Sequence, residues 1–411
     1  MLKKLTLLLV ALSVSSAVAQ SSRCSTDEFL AAKFAENEAL KVSYEKAMYD
    51  IRSVAKHVHS MKTSMDEQEE DLVIPVVFHI VYRFGTQNIP DLRITEQMNT
   101  LNADYAGLNT DISEVPADFT QFVGTSRIRF ELASIDPDGN PTTGIERIET
   151  DSSVFSMSDE GIKHSELGGA DAWNSSQYLN IWVGRIEQGI LGYATPPNTA
   201  MADEDGVVIG YKYVGLSNSA SYGLGRTGTH EVGHYLGLIH LWGAYGPSCT
   251  LDDGISDTPM QFEAHYVDPG HPSISCNSAD MFMNYMDYVE DEDMFFFSAE
   301  QVTHMETALE INRESLLTSP ALAVDENISN EVFEIFPVPV SKGSELTVVI
   351  PEGKVINQVQ IVDLLGRVHL NDIVDTNDKE LSLNIKELST GVYLLKLNGE
   401  KMSYNKRIVI R

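Results

Sequence analysis

Basic side chains are scarce in this chain of 411 residues. Lysine and arginine together number 29 against 60 aspartates and glutamates, so the formal net charge is −31. Nucleic acids and anionic membrane surfaces bind through basic patches, and neither is expected as a partner. An acidic surface suits a soluble extracellular protein and offers carboxylates for calcium, although simple solvation of the surface is the plainer explanation.

Cysteine is almost absent, with only Cys24, Cys249 and Cys276 in the chain. In an exported protein, an odd number of cysteines leaves one thiol over when the other two pair. The residues that flank them do not resemble the C-x-x-C pairs of a zinc ribbon. The leftover thiol therefore needs an explanation.

Long hydrophobic runs are also missing. Residues 5–14 are apolar but too few to span a bilayer, and two lysines precede them. The small-x-small sequence at residues 17–19 completes the pattern of a secretory signal over residues 1–19, cleaved before Gln20. A buried N-terminal helix is the alternative. No later segment is apolar enough to predict a transmembrane helix.

The length of the chain allows two or three domains, and its composition changes along the sequence. Residues 20–71 are polar with helix-favouring stretches, which indicates a pro-segment. Residues 72–318 mix apolar strand patterns with helical periodicities and predict one mixed α/β domain, with a single helix over residues 298–317. A polar linker over residues 319–330 leads to residues 331–411, whose short alternating strands predict a small all-β sandwich.

The strongest signal is the segment HEVGHYLGLIH at residues 230–240. His230 and His234 are four residues apart on a predicted helix, so both imidazoles project from one face as zinc ligands. Gly237 permits a sharp turn that brings His240 round as the third ligand. Three protein ligands leave the fourth position to water, which is typical of a catalytic site, and Glu231 is placed to act as general base.

This extended pattern is that of metzincin peptidases, which also need a methionine turn below the metal. The segment NYMDY at residues 284–288 supplies it. Met286 is expected to form the apolar floor under the ligands. Tyr288 is expected to donate a hydrogen bond to the tetrahedral oxyanion.

Together with DDGISDTP at residues 252–259 and LGYATPP at residues 191–197, these motifs resemble the pappalysin family of metzincins over residues 73–318. The resemblance implies an α+β fold: a metzincin zinc-peptidase domain with a mixed sheet and an active-site helix, followed by the small all-β sandwich. It also implies a zinc-dependent endopeptidase that acts on proteins and peptides, often with bound calcium. Leu191 and Gly192 fall on its upper-rim strand, which would pair with an extended substrate.

Further residue roles follow from the resemblance. It implies a disulfide between Cys249 and Cys276, whereas Asp293 stands where a second bridge of small family members would place a cysteine. It assigns calcium to Asp253, Asp257 and Thr258, and the alternative is an Asx turn that leads into Thr-Pro.

An acidic run at residues 290–293 follows the methionine turn. In related enzymes an acid there lies at the base of the S1′ pocket, which implies cleavage before arginine or lysine. Glu292 is the candidate for this role, and a solvated acidic run is the alternative.

Cys24 gains a role from the same resemblance. Arg23-Cys24-Ser25-Thr26 is similar to the pro-segment motif Arg-Cys-Gly-Thr, with serine in place of glycine. A thiolate binds zinc strongly, so Cys24 would occupy the fourth position in a latent precursor. A lipid-anchored cysteine is the alternative.

The predicted sandwich resembles the sorting domain of the type IX secretion system through FPVP at residues 336–339, IVDLLGR at 361–367 and LSTGVY at 388–393. The resemblance implies that residues 331–411 engage that machinery and that the protein is secreted or attached to the outer cell surface. A plain carbohydrate- or protein-binding sandwich is the alternative.

The sequence thus predicts a secreted zinc endopeptidase that is made as a latent precursor. A cell-surface binding or adhesion protein with a vestigial zinc site is the second hypothesis. Glu231 argues against it, because a vestigial site could lose this residue freely. An amidase acting on non-peptide substrates is a third hypothesis without support from any motif.

Overall fold

The protein is seen in a computed structural model that describes residues 23–62, 70–243, 246–322, 333–338, 340–350, 355–363, 368–374, 379–386, 388–399 and 402–411. The predicted signal over residues 1–19 lies outside the described residues, as do residues 323–330 of the predicted linker. Pro339 and residues 364–367 of the sorting-domain motifs lie outside them too.

Two helices follow the signal region, α1 (Thr26–Glu36) and α2 (Glu38–Lys62). Phe29 of α1 is buried against the central sheet. Met48 and Ile51 lie on one face of α2 and pack against Ala308. Both helices of the predicted pro-segment are therefore held on the rest of the fold by apolar contacts.

The central sheet is built around β1 (Leu72–Tyr82), whose apolar run has eight consecutive buried residues. Continuous burial of this kind is typical of a parallel strand covered on both faces. The other strands of the sheet are β2 (Ile128–Leu132), β3 (Ile145–Glu149), β4 (Leu179–Gly184), β5 (Gly192–Ala194) and β6 (Gly206–Gly210).

The strand order is β2–β1–β4–β6–β5, and β3 pairs with the second half of β1. All pairs are parallel except β5 with β6, which is antiparallel. The short strand β5 consequently ends the sheet, with one backbone edge turned away from β6. The bridge between Cys24 and Gly192 lies at this edge.

Three longer helices complete the predicted catalytic region, residues 72–318: α3 (Asp91–Tyr105), α4 (Arg226–Tyr235) and α5 (Ala299–Asn312). A short helix, α6 (Glu314–Leu317), follows. The single helix predicted over residues 298–317 is therefore interrupted at Arg313. Its guanidinium stacks 3.5 Å from the centroid of the Tyr235 ring and donates a hydrogen bond to Tyr235 O, contacts that fix the backbone at the break.

The implied disulfide between Cys249 and Cys276 is present, with 5.3 Å between the two Cα atoms. Cys276 lies in the turn between two short strands, β7 (Ile274–Ser275) and β8 (Ser278–Ala279). The bond therefore ties the loop after the third histidine to the hairpin that precedes the methionine turn.

The C-terminal region is all-β and forms two sheets that share one buried core. The first, in the order β13–β10–β9, consists of β9 (Glu334–Phe336), β10 (Glu345–Val349) and β13 (Glu380–Asn384). The second, in the order β12–β11–β14–β15, consists of β11 (Gln358–Asp363), β12 (Val368–Ile373), β14 (Gly391–Gly399) and β15 (Met402–Ile410). A mixed sheet with helices followed by small β-sheets confirms the predicted fold class. The residue boundaries between domains stay a prediction.

Across the described ranges, every helix is either too short or too polar to cross a membrane.

Helix α5 carries a complete N-terminal cap that can be tested. The Ser298 hydroxyl accepts a hydrogen bond from Gln301 N, and the Gln301 side chain accepts one from Ser298 N. Replacing such a cap by alanine costs about 1 kcal/mol. Ser298→Ala should therefore lower the free energy of unfolding in urea by about that amount. Ser315→Ala, at an exposed position, should change it by less than about 0.5 kcal/mol. An unchanged midpoint for Ser298→Ala would contradict the capping role.

Candidate metal centre

Helix α4 ends where the third histidine must turn back toward the first two. The helix stops at Tyr235, and Gly237 adopts a positive φ of 87°, a conformation that favours glycine. Leu238 N donates to Gly233 O at 2.9 Å and closes the turn. His240 is thereby brought beside His234.

The three histidines converge on one point. His234 Nε2 lies 3.1 Å from both His230 Nε2 and His240 Nε2. Cys24 Sγ joins them, and the four ligand atoms lie within 4.8 Å of one another. All four residues are buried. Three nitrogens and one sulfur in this space match the donor set and size of a tetrahedral zinc site.

The second ring nitrogen of each histidine fixes which atom faces the centre. His230 Nδ1 lies 2.7 Å from Tyr285 O, and His234 Nδ1 lies 2.8 Å from Leu238 O. A carbonyl oxygen only accepts hydrogen bonds, so both Nδ1 atoms carry the proton and both Nε2 lone pairs point inward. Burial lowers the pKa of His234 to about 3 and that of His230 well below its usual range, so both rings are neutral ligands.

The third histidine takes its partner from the predicted pro-segment. His240 Nδ1 donates to Asp27 Oδ2 at 2.8 Å, and its ring stacks on Trp242 with 4.6 Å between centroids. Asp27, near the start of α1, thus orients the third ligand. No motif in the sequence pointed to this residue.

Glu231 lies next to the metal centre and is fully buried. Its Oε2 accepts hydrogen bonds from Thr26 Oγ1 at 3.2 Å and Cys24 Sγ at 3.3 Å. Its Oε1 is buried and accepts no hydrogen bond from the described residues. Burial raises the pKa of Glu231 to about 8. The Thr26 contact was not foreseen from the sequence.

Cys24 belongs to the same centre through its sulfur atom. Burial and the nearby Glu231 carboxylate raise the pKa of its thiol well above the usual value when no cation is present. A zinc ion reverses this preference, because a coordinating thiol is deprotonated. Tyr288 Oη donates to Cys24 O at 3.1 Å. The pro-segment thus occupies both the predicted ligand position and the predicted oxyanion donor.

The methionine turn lies beneath the ligands. Met286 is fully buried, and a Cβ added to Gly233 of α4 would lie 2.7 Å from its Sδ. Asn284 Oδ1 accepts from Met286 N at 2.9 Å and holds the turn. Tyr285, which lies between these two residues in the sequence, supplies the carbonyl that orients His230. The turn therefore supports the centre by packing and by one hydrogen bond.

Strand β5 pairs with the pro-segment at the centre. Leu191 N donates to Arg23 O, and Ser25 N donates to Gly192 O, both at 3.2 Å. The bridge between Cys24 and Gly192 is parallel. A Cβ on Gly192 would lie 2.9 Å from Glu231 Cγ, so only glycine lets the strand approach the carboxylate this closely. Leu191 and Gly192 thus present backbone groups to whatever lies in the cleft.

Arg23 fills a buried pocket beyond the methionine turn. Its Nη2 donates to Asp291 Oδ1 at 2.8 Å, its Nη1 donates to Val289 O, and its Cζ lies 5.1 Å from the centroid of the Tyr222 ring. Glu292, the residue predicted for this pocket, has an exposed side chain and lies outside it. The 3-10 turn Asp291–Asp293 directs the neighbouring carboxylate inward, because Arg226 N and Leu224 N also donate to Asp291.

The predicted calcium residues have partners within the protein. Asp253 Oδ1 accepts hydrogen bonds from Thr258 Oγ1 at 2.8 Å and from Ile255 N at 3.0 Å, and burial raises its pKa to about 8. Asp257 accepts from Ser298 Oγ at 2.6 Å and from Glu300 N at 2.9 Å. These contacts describe a turn and a helix cap, and calcium stays a prediction.

Two family models match the chain. Residues 163–310 match the one described as pregnancy-associated plasma protein-A, and residues 334–411 match a secretion system C-terminal sorting domain. An extracellular metalloprotease of Arthroderma gypseum is 28% identical over 256 residues, which is 60% of this chain and 76% of that protein.

Solved structures of mirolysin from Tannerella forsythia are more similar. The mature enzyme in complex with a cleaved peptide is 40% identical with a TM-score of 0.60, covering 62% of this chain and 97% of that one. A promirolysin mutant is 36% identical with a TM-score of 0.65, covering 73% and 98%. Extracellular relatives and a sorting tail support secretion or attachment to the cell surface. This chain therefore belongs to the pappalysin family and is a zinc metalloendopeptidase with a C-terminal secretion sorting domain.

Proposed function

We propose that the enzyme cleaves peptide bonds at a zinc ion held by His230, His234 and His240, with Glu231 as general base and Cys24 as the ligand that keeps the precursor latent. The observation that carries the proposal is the convergence of three inward-facing Nε2 atoms beside one buried carboxylate. Zinc, when bound, polarises the scissile carbonyl and acidifies a water molecule.

The residues around the ion have separate tasks in this proposal. Glu231 takes a proton from the attacking water and delivers it to the leaving amine. Tyr288 donates its hydroxyl hydrogen to the developing oxyanion in place of Cys24 O. Leu191, which directly precedes β5, and Gly192 at its start bind the extended substrate backbone through the groups that now hold the pro-segment.

Glu231→Ala should reduce peptide hydrolysis at least about a hundredfold, the usual scale for loss of a general base. Zinc content should stay at the parental level, because Glu231 is not among the four converging ligands. Turnover and bound zinc are measured on processed protein, with Glu114→Ala, at an exposed position, as the matched control. Near-parental turnover with Glu231→Ala would remove the assigned role.

Latency in this proposal comes from contacts rather than bulk alone. Cys24 takes the fourth ligand position, Thr26 binds Glu231, and Arg23 fills the pocket at Asp291. The metal position, the general base and the specificity pocket are thus all engaged by residues 23–26. Proteolysis after this segment would release all of them together.

Cys24→Ala should therefore give a precursor that matures earlier than the parent or cleaves peptide while intact. Electrophoresis follows maturation, and a quenched fluorescent peptide reports activity before processing. The competing explanation is that α1 and α2 block the cleft by volume. A Cys24→Ala precursor as silent and as slow to mature as the parent would establish that explanation.

For specificity, we propose that Asp291 rather than Glu292 selects a basic residue after the scissile bond. The environment of Arg23 supports this assignment, because a buried carboxylate, a carbonyl and an aromatic ring surround its guanidinium group. Arginine is expected to exceed lysine, because its planar fork donates to Asp291 and Val289 at once while lying against Tyr222.

Asp291→Asn should lower kcat/KM for a peptide with arginine after the cut by about tenfold or more, the scale of a buried charge-assisted hydrogen bond. Glu292→Gln, one position along the same turn, serves as the matched control and should change it less than twofold. Product mapping by mass spectrometry checks the cleavage site. Cleavage mainly before apolar residues, or a larger effect from Glu292→Gln, would refute the assignment.

The C-terminal sheets complete the proposal. We propose that residues 331–411 engage the type IX secretion machinery, supported by the match to the sorting-domain family.

A further inference from the structure

Helix α1 covers an acidic recess on the catalytic region, formed by Glu160, Lys163, Tyr193 and Glu204. Lys33 of α1 is seated in it, forming ion pairs with Glu160 Oε2 and with Glu204 Oε2, the latter at 3.1 Å. The Glu160 side chain is 3% exposed. Within the described part of the catalytic region, the Oε2 atom of Glu160 accepts no hydrogen bond, and this oxygen faces Lys33.

The charges in the acidic recess balance only while α1 is present. Lys163 is buried, with its Nζ 2.6 Å from Glu160 Oε1 and 2.7 Å from the Glu204 carbonyl oxygen. Lys163 thus pairs with the carboxylate of Glu160 alone, and Lys33 supplies the ammonium group that pairs with the carboxylate of Glu204. When the pro-segment leaves, Glu160 keeps its pair with Lys163, and the partly exposed Glu204 carboxylate keeps only His164, whose Nε2 lies 3.6 Å from Glu204 Oε1. The acidic recess then lacks one positive charge, a state that favours binding of another cation.

The acidic recess is continuous with the substrate-binding strand. Tyr193 directly follows Gly192 on β5, and Phe29 of α1 lies 5.4 Å from its ring centroid. Burial and the carboxylates of Glu160 and its neighbours raise the pKa of the Tyr193 phenol well above its usual value. The recess therefore has an aromatic wall in an acidic field.

The position of the acidic recess relative to the metal centre follows from α1. Arg23 lies on one side of the centre, and the chain passes Asp27 at His240 before it reaches Lys33. Six residues of helix span about 9 Å. An extended peptide covers that distance in about three residues.

We propose that in the processed enzyme the acidic recess is a substrate subsite for a lysine or arginine side chain about three residues before the scissile bond. This rests on the proposed function, because Asp291 on the other side of the centre is taken to bind the residue after the cut. In the precursor, Lys33 occupies the position of the basic substrate side chain. Phe29 occupies the position of the substrate residue beside it.

The test compares peptides that share arginine after the scissile bond and differ only in lysine or glutamine at the second, third or fourth position before it. The full-length precursor and its variants are processed and zinc-loaded before kcat/KM is measured. Lysine at the third position should raise kcat/KM about fivefold over glutamine, and added salt should reduce the advantage.

Two substitutions and one control locate the effect. Glu204→Gln should bring the lysine-to-glutamine ratio close to one, and Glu204→Lys should turn the preference toward glutamate at the same position. Glu166→Gln, an exposed glutamate on the neighbouring 3-10 turn, should keep the parental ratio. A melting curve for each variant checks that it is folded.

Equal cleavage of the lysine and glutamine peptides by the parent would overturn the subsite while leaving the proposed function intact. A lysine preference that survives Glu204→Gln would overturn it as well. Failure of the parent to cut any of these peptides would instead count against the proposed function, and the subsite would fall with it.

Discussion

The geometry of the whole centre depends on three imidazoles that direct their Nε2 lone pairs at one point. Two are held by backbone carbonyls of the catalytic region, Tyr285 O and Leu238 O. The third, His240, is held by a carboxylate of the pro-segment, Asp27. This constraint requires α4 to end at Tyr235, the chain to reverse at the following glycine, and the methionine turn to lie directly beneath.

The predicted pro-segment occupies, at several points along the cleft, the positions at which a peptide substrate is proposed to bind. It pairs with β5, places a thiol among the metal ligands, and fills the pocket at Asp291 with a guanidinium group. Its bridge to Gly192 is parallel. All of these contacts are made by residues 23–25, so under the proposed latency one cleavage after this segment would release them together.

The part of the site that depends on local spacing could be predicted from the sequence. The histidines, Glu231 and Gly237 lie within one helix and one turn, so their geometry follows from helical periodicity and glycine's conformational freedom. Asp291 could not be separated from Glu292 in the same way. Which of two neighbouring side chains in a short turn points inward depends on the groups that contact them. Here the backbone N–H groups of residues 224 and 226 hold the Asp291 carboxylate inward.

The strands show the same limit. Strand β1 can be predicted because its apolar run is continuous. Strand β3 (IERIE) has no fully buried residue and β12 (VHLNDI) is mostly exposed, so neither has the buried apolar face that makes a strand clear in a sequence. The break at Arg313 could not be predicted either, because it depends on contact with Tyr235, a residue of a helix that is distant in the sequence.

The central claim is that a single zinc ion is bound by three histidines together with Cys24 in the precursor. X-ray absorption at the zinc edge tests it most directly on the full-length protein before and after processing. The precursor should show one sulfur at about 2.3 Å with nitrogens at about 2.0–2.1 Å, and the processed enzyme should show nitrogen and oxygen only. A precursor whose zinc has no sulfur neighbour would contradict the account.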